Sequence, residues 1–318
     1  MKVIDHLNNA KGPHISVEII PPRRGGNIDT LYRAVESIMD YNPPYIDVTS
    51  HAADIIWEAM PDGTYAKKIQ RKSPGTFGMC AAIKYKFDLD PVPHLLCTGF
   101  TREETEDALI ELNYLGVENV LLLRGDGKAN KPIPKERSSN KFALDLVQQV
   151  SDMNRGQYLV EIEDAQATDF CIGVSAYPEK HFEAPNLAFD IQQLKAKQEA
   201  GAEYAVTQMF FDNQKFFRFV EMAREAGVTI PIIPGMKILT TKRHINVIPS
   251  IFHVDFPDEL TAGLMHAPDN KAALEVGVDW AYKQSIELLE AGFNNLHFYI
   301  MQKTKPFRML MDRLSLDM

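Results

Sequence analysis

Residues 119–127 read NVLLLRGDG, and the reading of this stretch decides the fold. Val120 to Leu123 is an unbroken apolar run, the pattern of a strand buried on both faces of a parallel sheet. It stops at Arg124-Gly125-Asp126-Gly127. Two opposite charges and two glycines directly behind a buried strand are more than a chain reversal needs. In parallel α/β folds, ligands bind outside the carboxyl ends of the strands. A solvated turn with a local ion pair would explain this one stretch equally well. The weight comes from the rest of the chain, where several other strands end in the same way.

Upstream, residues 15–20 (ISVEII) read as a strand closed by Pro21-Pro22, residues 45–49 (YIDVT) as a second entered through Pro43-Pro44, and residues 94–97 as a third. Downstream, 170–177 (FCIGVSAY), 204–211 (YAVTQMFF), 230–234 and 295–301 (NLHFYIM) complete a set of eight. Helices are predicted at 27–40, 62–72, 101–116, 141–154, 187–200, 213–226, within 242–289 and at 306–314. Thr101 with Glu104 three residues on is a capping box. The segment 73–93 is the hardest to assign and holds a polar insertion at 84–90; a second polar stretch fills 157–168. Eight short apolar strands, each followed by a helix, over about 300 residues are the pattern of a (β/α)8 TIM barrel. No composition break, internal repeat or low-complexity tract divides residues 1–318, so a single α/β domain is expected. An open doubly wound sheet is the alternative. Against it, no strand is followed by G-x-G-x-x-G, since Gly125-Asp126-Gly127 lacks the third glycine.

Composition narrows the function. The chain has 318 residues, 45% hydrophobic and 24% charged, with a net charge of -9. A sequence pI near 5.5 argues against a nucleic-acid partner, which needs a basic face. Small anionic ligands need only local cations. Cys80, Cys97 and Cys171 lie far apart without C-x-x-C spacing, and read as reduced, buried thiols of a cytoplasmic protein, with neither zinc nor disulfides implied. No apolar run approaches a membrane span, and the N-terminus has no signal-peptide pattern.

Candidate residues follow from strand parity. In ISVEII, alternation puts Ser16, Glu18 and Ile20 on one face and Ile15, Val17 and Ile19 on the other. The all-aliphatic set suits the helix side, so Glu18 should point into the barrel. A desolvated carboxylate there has a raised pKa, useful to a general acid; an inward Glu paired with Arg or Lys is the structural counterpart. The same parity sets Gln208 with Val206 and Phe210 on an inward face, where an amide can orient a ligand or simply bond a neighbouring strand. The helix after YPEKHFEA (177–184) carries Asp190, Gln193 and Lys197 as one polar stripe. Such a stripe is usually a solvated face; alternatively Lys197 could neutralise a phosphate. His94 and Cys97 end the third strand, and a lone His there is more often a satisfied core residue than a ligand. No metal-spaced cluster and no Ser-His-Asp arrangement stands out.

Taken in order, VEIIPP with Glu18, DVTSHA with Thr49, PHLLC at 93–97, LLLRGDG at 121–127, SAYPEKHFEA at 175–184, TQMFFD at 207–212, IIPGM at 232–236 and HFYIM at 297–301 resemble the methylenetetrahydrofolate reductase family. The resemblance spans nearly the whole chain. It implies a (β/α)8 flavoprotein with non-covalent FAD, passing hydride from NADH or NADPH to 5,10-methylenetetrahydrofolate and yielding 5-methyltetrahydrofolate for methionine synthesis. By the same resemblance Glu18 matches the general acid, Asp126 the carboxylate near flavin and pterin, and Gln208 the amide on folate. Thr49, Ala52, His94, Arg124, Gly125, Asp126, Tyr177, His181, Ala184, Asp190 and Lys197 match FAD-contacting positions. Lys303 stands where an Arg contacts substrate in relatives, so Asp126, Gln208 and Lys303 form the implied substrate set. A homo-oligomer is expected.

The chain departs from the family pattern in places. Ser50-His51 replaces a Tyr-Gly after the second strand, and residues 237–244 carry no aromatic where a stacking Phe is common. The chain ends soon after the barrel, so the carboxy-terminal regulatory domain of eukaryotic relatives is not expected. Two other readings stay open. A flavin-free barrel enzyme, such as a pterin-dependent methyltransferase or an aldolase, would need a strand lysine or a corrinoid or metal partner, and no strand as read carries a lysine. A non-catalytic folate- or flavin-binding protein is the other.

Overall fold

The computed structural model describes residues 1–51, 53–70, 73–125 and 137–314. In chain order its elements are α1 (Val3–Asn9), β1 (His14–Ile19), α2 (Asp29–Glu36), β2 (Tyr45–Val48), β3 (Asp54–Ala59), β4 (Tyr65–Gln70), α3 (Thr76–Phe87), β5 (Asp90–Leu96), α4 (Arg102–Tyr114) and β6 (Asn119–Leu123). There follow α5 (Ala143–Met153), β7 (Cys171–Ala176), α6 (Leu187–Glu199), β8 (Tyr204–Thr207), α7 (Asn213–Glu225), β9 (Ile232–Ile233) and β10 (Gly235–Met236). The last are α8 (His244–Phe252), α9 (Asp258–His266), α10 (Asn270–Glu290), β11 (Asn295–Met301) and α11 (Thr304–Leu314).

The main sheet runs β10-β11-β1-β2-β5-β6-β7-β8-β9, and its neighbours pair in parallel. β9 and β10 are two halves of one stave, interrupted at Pro234, which has no N–H to give a ladder. β9 pairs with β8 and β10 with β11, so the sheet closes on itself as eight staves. This is the expected (β/α)8 barrel. Closure depends on Gly235: its N–H donates to Thr207 Oγ1 at 2.9 Å, and a Cβ there would stand 2.0 Å from the Thr207 carbonyl oxygen.

Outward residues of the staves, including Val17, Ile19, Val48, Leu122 and Val174, pack with Leu109, Leu112, Leu146 and Ile191 of the surrounding helices. Inside the barrel, Tyr45, Val92, Leu121, Cys171, Tyr204, Val206 and Ile233 form a separate apolar layer. α1, which periodicity had not marked, contributes Val3 to this layer. The Val3 side chain is fully buried, and its N–H donates to Asn119 Oδ1 at 2.7 Å. Burying one such valine contributes about 1.5–3 kcal/mol.

Three assignments change. Of residues 62–72, expected as a helix, 62–70 belong to the antiparallel hairpin β3–β4, and 71–72 lie outside the described residues. The overlooked cue is the turn Pro61-Asp62-Gly63, where Asp62 Oδ1 accepts from the Thr64 N–H and hydroxyl at 3.0 and 2.6 Å. The polar insertion at 84–90 is the end of α3 and the first residue of β5. Prolines 91 and 93 hid that strand. Both lie where β5 pairs only with β2, and pairing to β6 begins at His94, so neither proline interrupts a two-sided ladder. β8 ends at Thr207, four residues early. Phe210 leaves the inward face and stacks on Phe216 in the outer core, with ring centroids 4.9 Å apart. The helical segments expected within 242–289 are α8, α9 and most of α10. Cys80, Cys97 and Cys171 are buried and unbridged, and no helix among the described residues is long and apolar enough to cross a membrane.

Candidate active site

The carboxyl ends of the staves gather two groups of polar side chains. The first lies inside the barrel above its apolar layer. Parity along β1 turns Ser16 and Glu18 inward, as expected, while Val17 and Ile19 join the outer core. Parity along β2 does the same for Asp47, along β5 for His94, and along β11 for His297 and Tyr299. His94 Nε2 lies 3.3 Å from Asp47 Oδ2 and 3.7 Å from Glu18 Oε2. Ser16 Oγ lies 2.9 Å from His297 Nδ1. Glu18 is 8% exposed and Asp47 wholly buried. Burial pushes the Glu18 carboxyl up to about 7; His94 and Lys237 pull it down and Asp47 pushes it further up. Burial likewise raises Asp47 to about 7, offset by His297. Burial lowers the pKa of both His94 and His297, against the attraction of their carboxylates.

Lys237 closes this group. It follows β10 directly, and burial lowers its ammonium to about 8 even though Glu18 favours the charged form. Its Nζ donates to the Tyr299 carbonyl at 2.5 Å. The expectation that no strand carries a lysine is corrected in the hairpin, where β4 holds Lys67 and Lys68, and a further, buried lysine sits directly behind β10. Asp47, His297, Tyr299 and Lys237 had not been singled out. The signal for the first three was available, because alternation in YIDVT and NLHFYIM marks Asp47, His297 and Tyr299 just as it marks Glu18 in ISVEII. Lys237 had no such signal, since its stave breaks at Pro234.

The second group surrounds the ends of β6 and β7. Lys197 of α6 is 9% exposed, so the polar stripe on this helix is not a solvated face. Its Nζ donates to the Ser175 carbonyl at 2.9 Å, and burial lowers it to about 8 against the pull of Asp190. Asp190 Oδ2 accepts the His181 N–H at 2.7 Å. The His181 ring packs edge-on to Tyr177 with centroids 4.8 Å apart, and Ala184 is buried. Burial lowers the His181 imidazole; Asp190 opposes this, and Arg124, Lys197 and Lys180 reinforce it. Arg124 pairs with Glu183 and lies over the Phe142 ring. Its carbonyl accepts from Thr98 Oγ1 at 2.7 Å, which pins the turn after β6 onto the end of β5. Gly125 makes that turn at φ 83°, where side chains are strained, and a Cβ there would sit in van der Waals contact with Thr98. Three cations around one neutral imidazole, beside a backbone turn open to close approach, suit an extended dianion.

The remaining expected residues are more scattered. Thr49 is buried at the end of β2; its carbonyl accepts from Thr76 Oγ1 at 2.9 Å, tying the strand to α3. The Gln208 N–H donates to the Ala176 carbonyl at 2.8 Å, and its Oε1 accepts the Met209 N–H at 3.0 Å. Lys303 is exposed and lines a small cavity with Thr240, His244 and Lys237, the last of which also closes the Glu18 group. Asp126 and Ala52 lie outside the described residues.

The family model described as methylenetetrahydrofolate reductase matches residues 2–315. "Methylenetetrahydrofolate reductase 1" of Schizosaccharomyces pombe is 29% identical over 303 residues, covering 95% of this chain and 46% of that protein. "Methylenetetrahydrofolate reductase (NADH) 1" of Arabidopsis thaliana is 28% identical, covering 96% and 49%. The chain thus spans about half the length of these curated relatives. The "5,10-methylenetetrahydrofolate reductase" of Pectobacterium carotovorum is 26% identical, covering 92% of this chain and 87% of its own. Among solved structures, an uncharacterized protein from Clostridium thermocellum, described as binding two copies of 5-methyl-5,6,7,8-tetrahydrofolic acid, superposes with a TM-score of 0.58 at 14% identity over 99% of both chains, a likeness of fold. The match over residues 2–315 identifies the chain as a member of the methylenetetrahydrofolate reductase family.

Proposed function

We propose that this chain reduces 5,10-methylenetetrahydrofolate to 5-methyltetrahydrofolate with NADH or NADPH through bound FAD, as one cytoplasmic catalytic domain. The observation that carries the reading is Glu18: a carboxyl buried in the barrel mouth, 3.7 Å from His94 Nε2 and pushed up to about 7 by burial. The residues present fit a dinucleotide. Lys197, Arg124 and Lys180 would meet its diphosphate, Gly125 would let it approach the backbone, and Thr49, His94, Tyr177, His181, Ala184 and Asp190 would border it. FAD when bound supplies the hydride relay between nicotinamide and folate. The protein supplies the proton. The folate bridge accepts hydride only as an iminium, which forms when an amine nitrogen of the five-membered ring is protonated as the ring opens. Glu18 is the buried acid that can deliver this proton. Gln208, Asp126 and Lys303 are proposed to hold the folate.

A visible spectrum tests the reading. The purified protein should be yellow, bleach when NADH is added without oxygen, and regain colour with methylenetetrahydrofolate. A protein that takes up no FAD, or whose bleached form ignores the folate, would overturn it. A second reading, imine chemistry at Lys237, has the lowered ammonium in its favour. Borohydride trapping of a carbonyl compound on Lys237 would select it.

A further inference from the structure

Glu18 shares a buried polar neighbour, His94, with a second acid. His94 Nε2 stands 3.3 Å from Asp47 Oδ2 and 3.7 Å from Glu18 Oε2, so one ring nitrogen serves two buried carboxylates. The remaining Asp47 oxygen, Oδ1, has no hydrogen-bond partner among the described residues. From β11, His297 attracts Asp47, and Tyr299 also lies in the Glu18 field. From the end of β10, Lys237 faces Glu18. Tyr45, Tyr204 and Cys80 feel Asp47 and are themselves buried and neutral. Two carboxylates this close to one N–H in a desolvated site cannot readily both ionise.

We propose that Asp47 is a positioning residue for the acid: engaging the His94 Nε2–H, it carries the pair's single negative charge and leaves the proton on Glu18. The assignment of charge follows the hydrogen-bond geometry, because the shorter contact to the ring nitrogen belongs to Asp47; His297 attracts Asp47, while His94 and Lys237 attract Glu18. His94 stays neutral with its proton on Nε2. When the Glu18 proton passes to the substrate nitrogen, the O–H bond of Glu18 breaks and an N–H bond forms on the folate. The new carboxylate then finds the His94 N–H and the Lys237 ammonium already facing it. This inference rests on the proposed reductase reading and adds to it a reason why Glu18 holds its proton at neutral pH.

Asp47→Asn tests it. The amide keeps the shape and an acceptor oxygen but removes the charge, and so holds the His94 N–H less strongly against Glu18. Both changes should make Glu18 more acidic, by about one pH unit or more. Carboxyl-13C NMR of glutamate-labelled protein reads this without substrate or flavin, with the Glu18 signal identified by its loss in Glu18→Gln. The alkaline limb of the folate step should move to lower pH by the same amount. A purely structural Asp47 would lower the rate without moving the limb. In the wild-type protein, labelled Asp47 should ionise at lower pH than Glu18. The reverse order, or an Asp47→Asn protein whose Glu18 titrates where it did before, would overturn the proposal. Absence of folate turnover in the wild type would instead remove the reductase reading and leave both titrations to judge Asp47.

Discussion

Replacing Glu18 by Gln separates the chemical role of the acid from the cost of burying it. Burial lifts the carboxyl from an ordinary 4.5 to about 7, a gap equivalent to about 3 kcal/mol. The folded state therefore binds this proton more tightly than the unfolded chain does. The associated stability is fully present below pH 4.5 and is lost as pH rises through about 7, where the native site must hold a buried charge. Gln carries no such charge, so Glu18→Gln should match the wild type in stability at pH 4.5 and exceed it by up to about 3 kcal/mol at pH 8.5. Its chemistry should run the other way. A positioned general acid contributes about 10²–10⁴-fold, so the folate step should slow by at least about two orders of magnitude. The step should also lose its dependence on pH, which in the wild type falls about tenfold per unit above pH 7 as the protonated acid disappears. Reduction by nicotinamide needs no such proton and should proceed near the wild-type rate. Thermal melts at the two pH values and stopped-flow spectra of the two half-reactions supply the data. Equal loss in both half-reactions, or a variant no more stable at pH 8.5, would refute the account of Glu18 as a buried, protonated acid.

Two further predictions concern the scaffold of the site. Lys197→Ala should release flavin on dilution and recover activity with excess FAD, because its buried ammonium faces the proposed diphosphate position; flavin retained as tightly as in the wild type would remove that assignment. Gly235→Ala should be strongly destabilised, by more than the 1–3 kcal/mol (about) usual for overpacking, since its Cβ would collide with the Thr207 backbone carbonyl in the stave that closes the barrel; a denaturation midpoint within error of the wild type would contradict this.

The sequence alone determined the eight-stave barrel, the capped helix after Thr101 and the inward direction of Glu18. Each rests on a local rule: apolar runs for buried strands, a side chain for an orphan N–H, and period-two alternation for the two faces of a stave. Alternation also holds the inward placement of Asp47, His297 and Tyr299. It failed at Phe210, where β8 ends early and the chain turns toward the helices, because parity holds only while the ladder continues. The hairpin β3–β4 is legible in Pro61-Asp62-Gly63, but the charges and aromatics of its strands show no period-two alternation that marks them as strands.

What only the tertiary structure decided was which polar groups meet. Glu18, Asp47 and His94 come from three staves, and their shared ring nitrogen exists only because the register of β1, β2 and β5 brings them to one level of the barrel. Lys237 joins them across a stave broken at Pro234, and Lys197 turns from a stripe on a helix into a buried cation only when α6 packs against β7. Burial raises or lowers the proton affinity of each of these groups, and burial belongs to the closed barrel rather than to any stretch of chain.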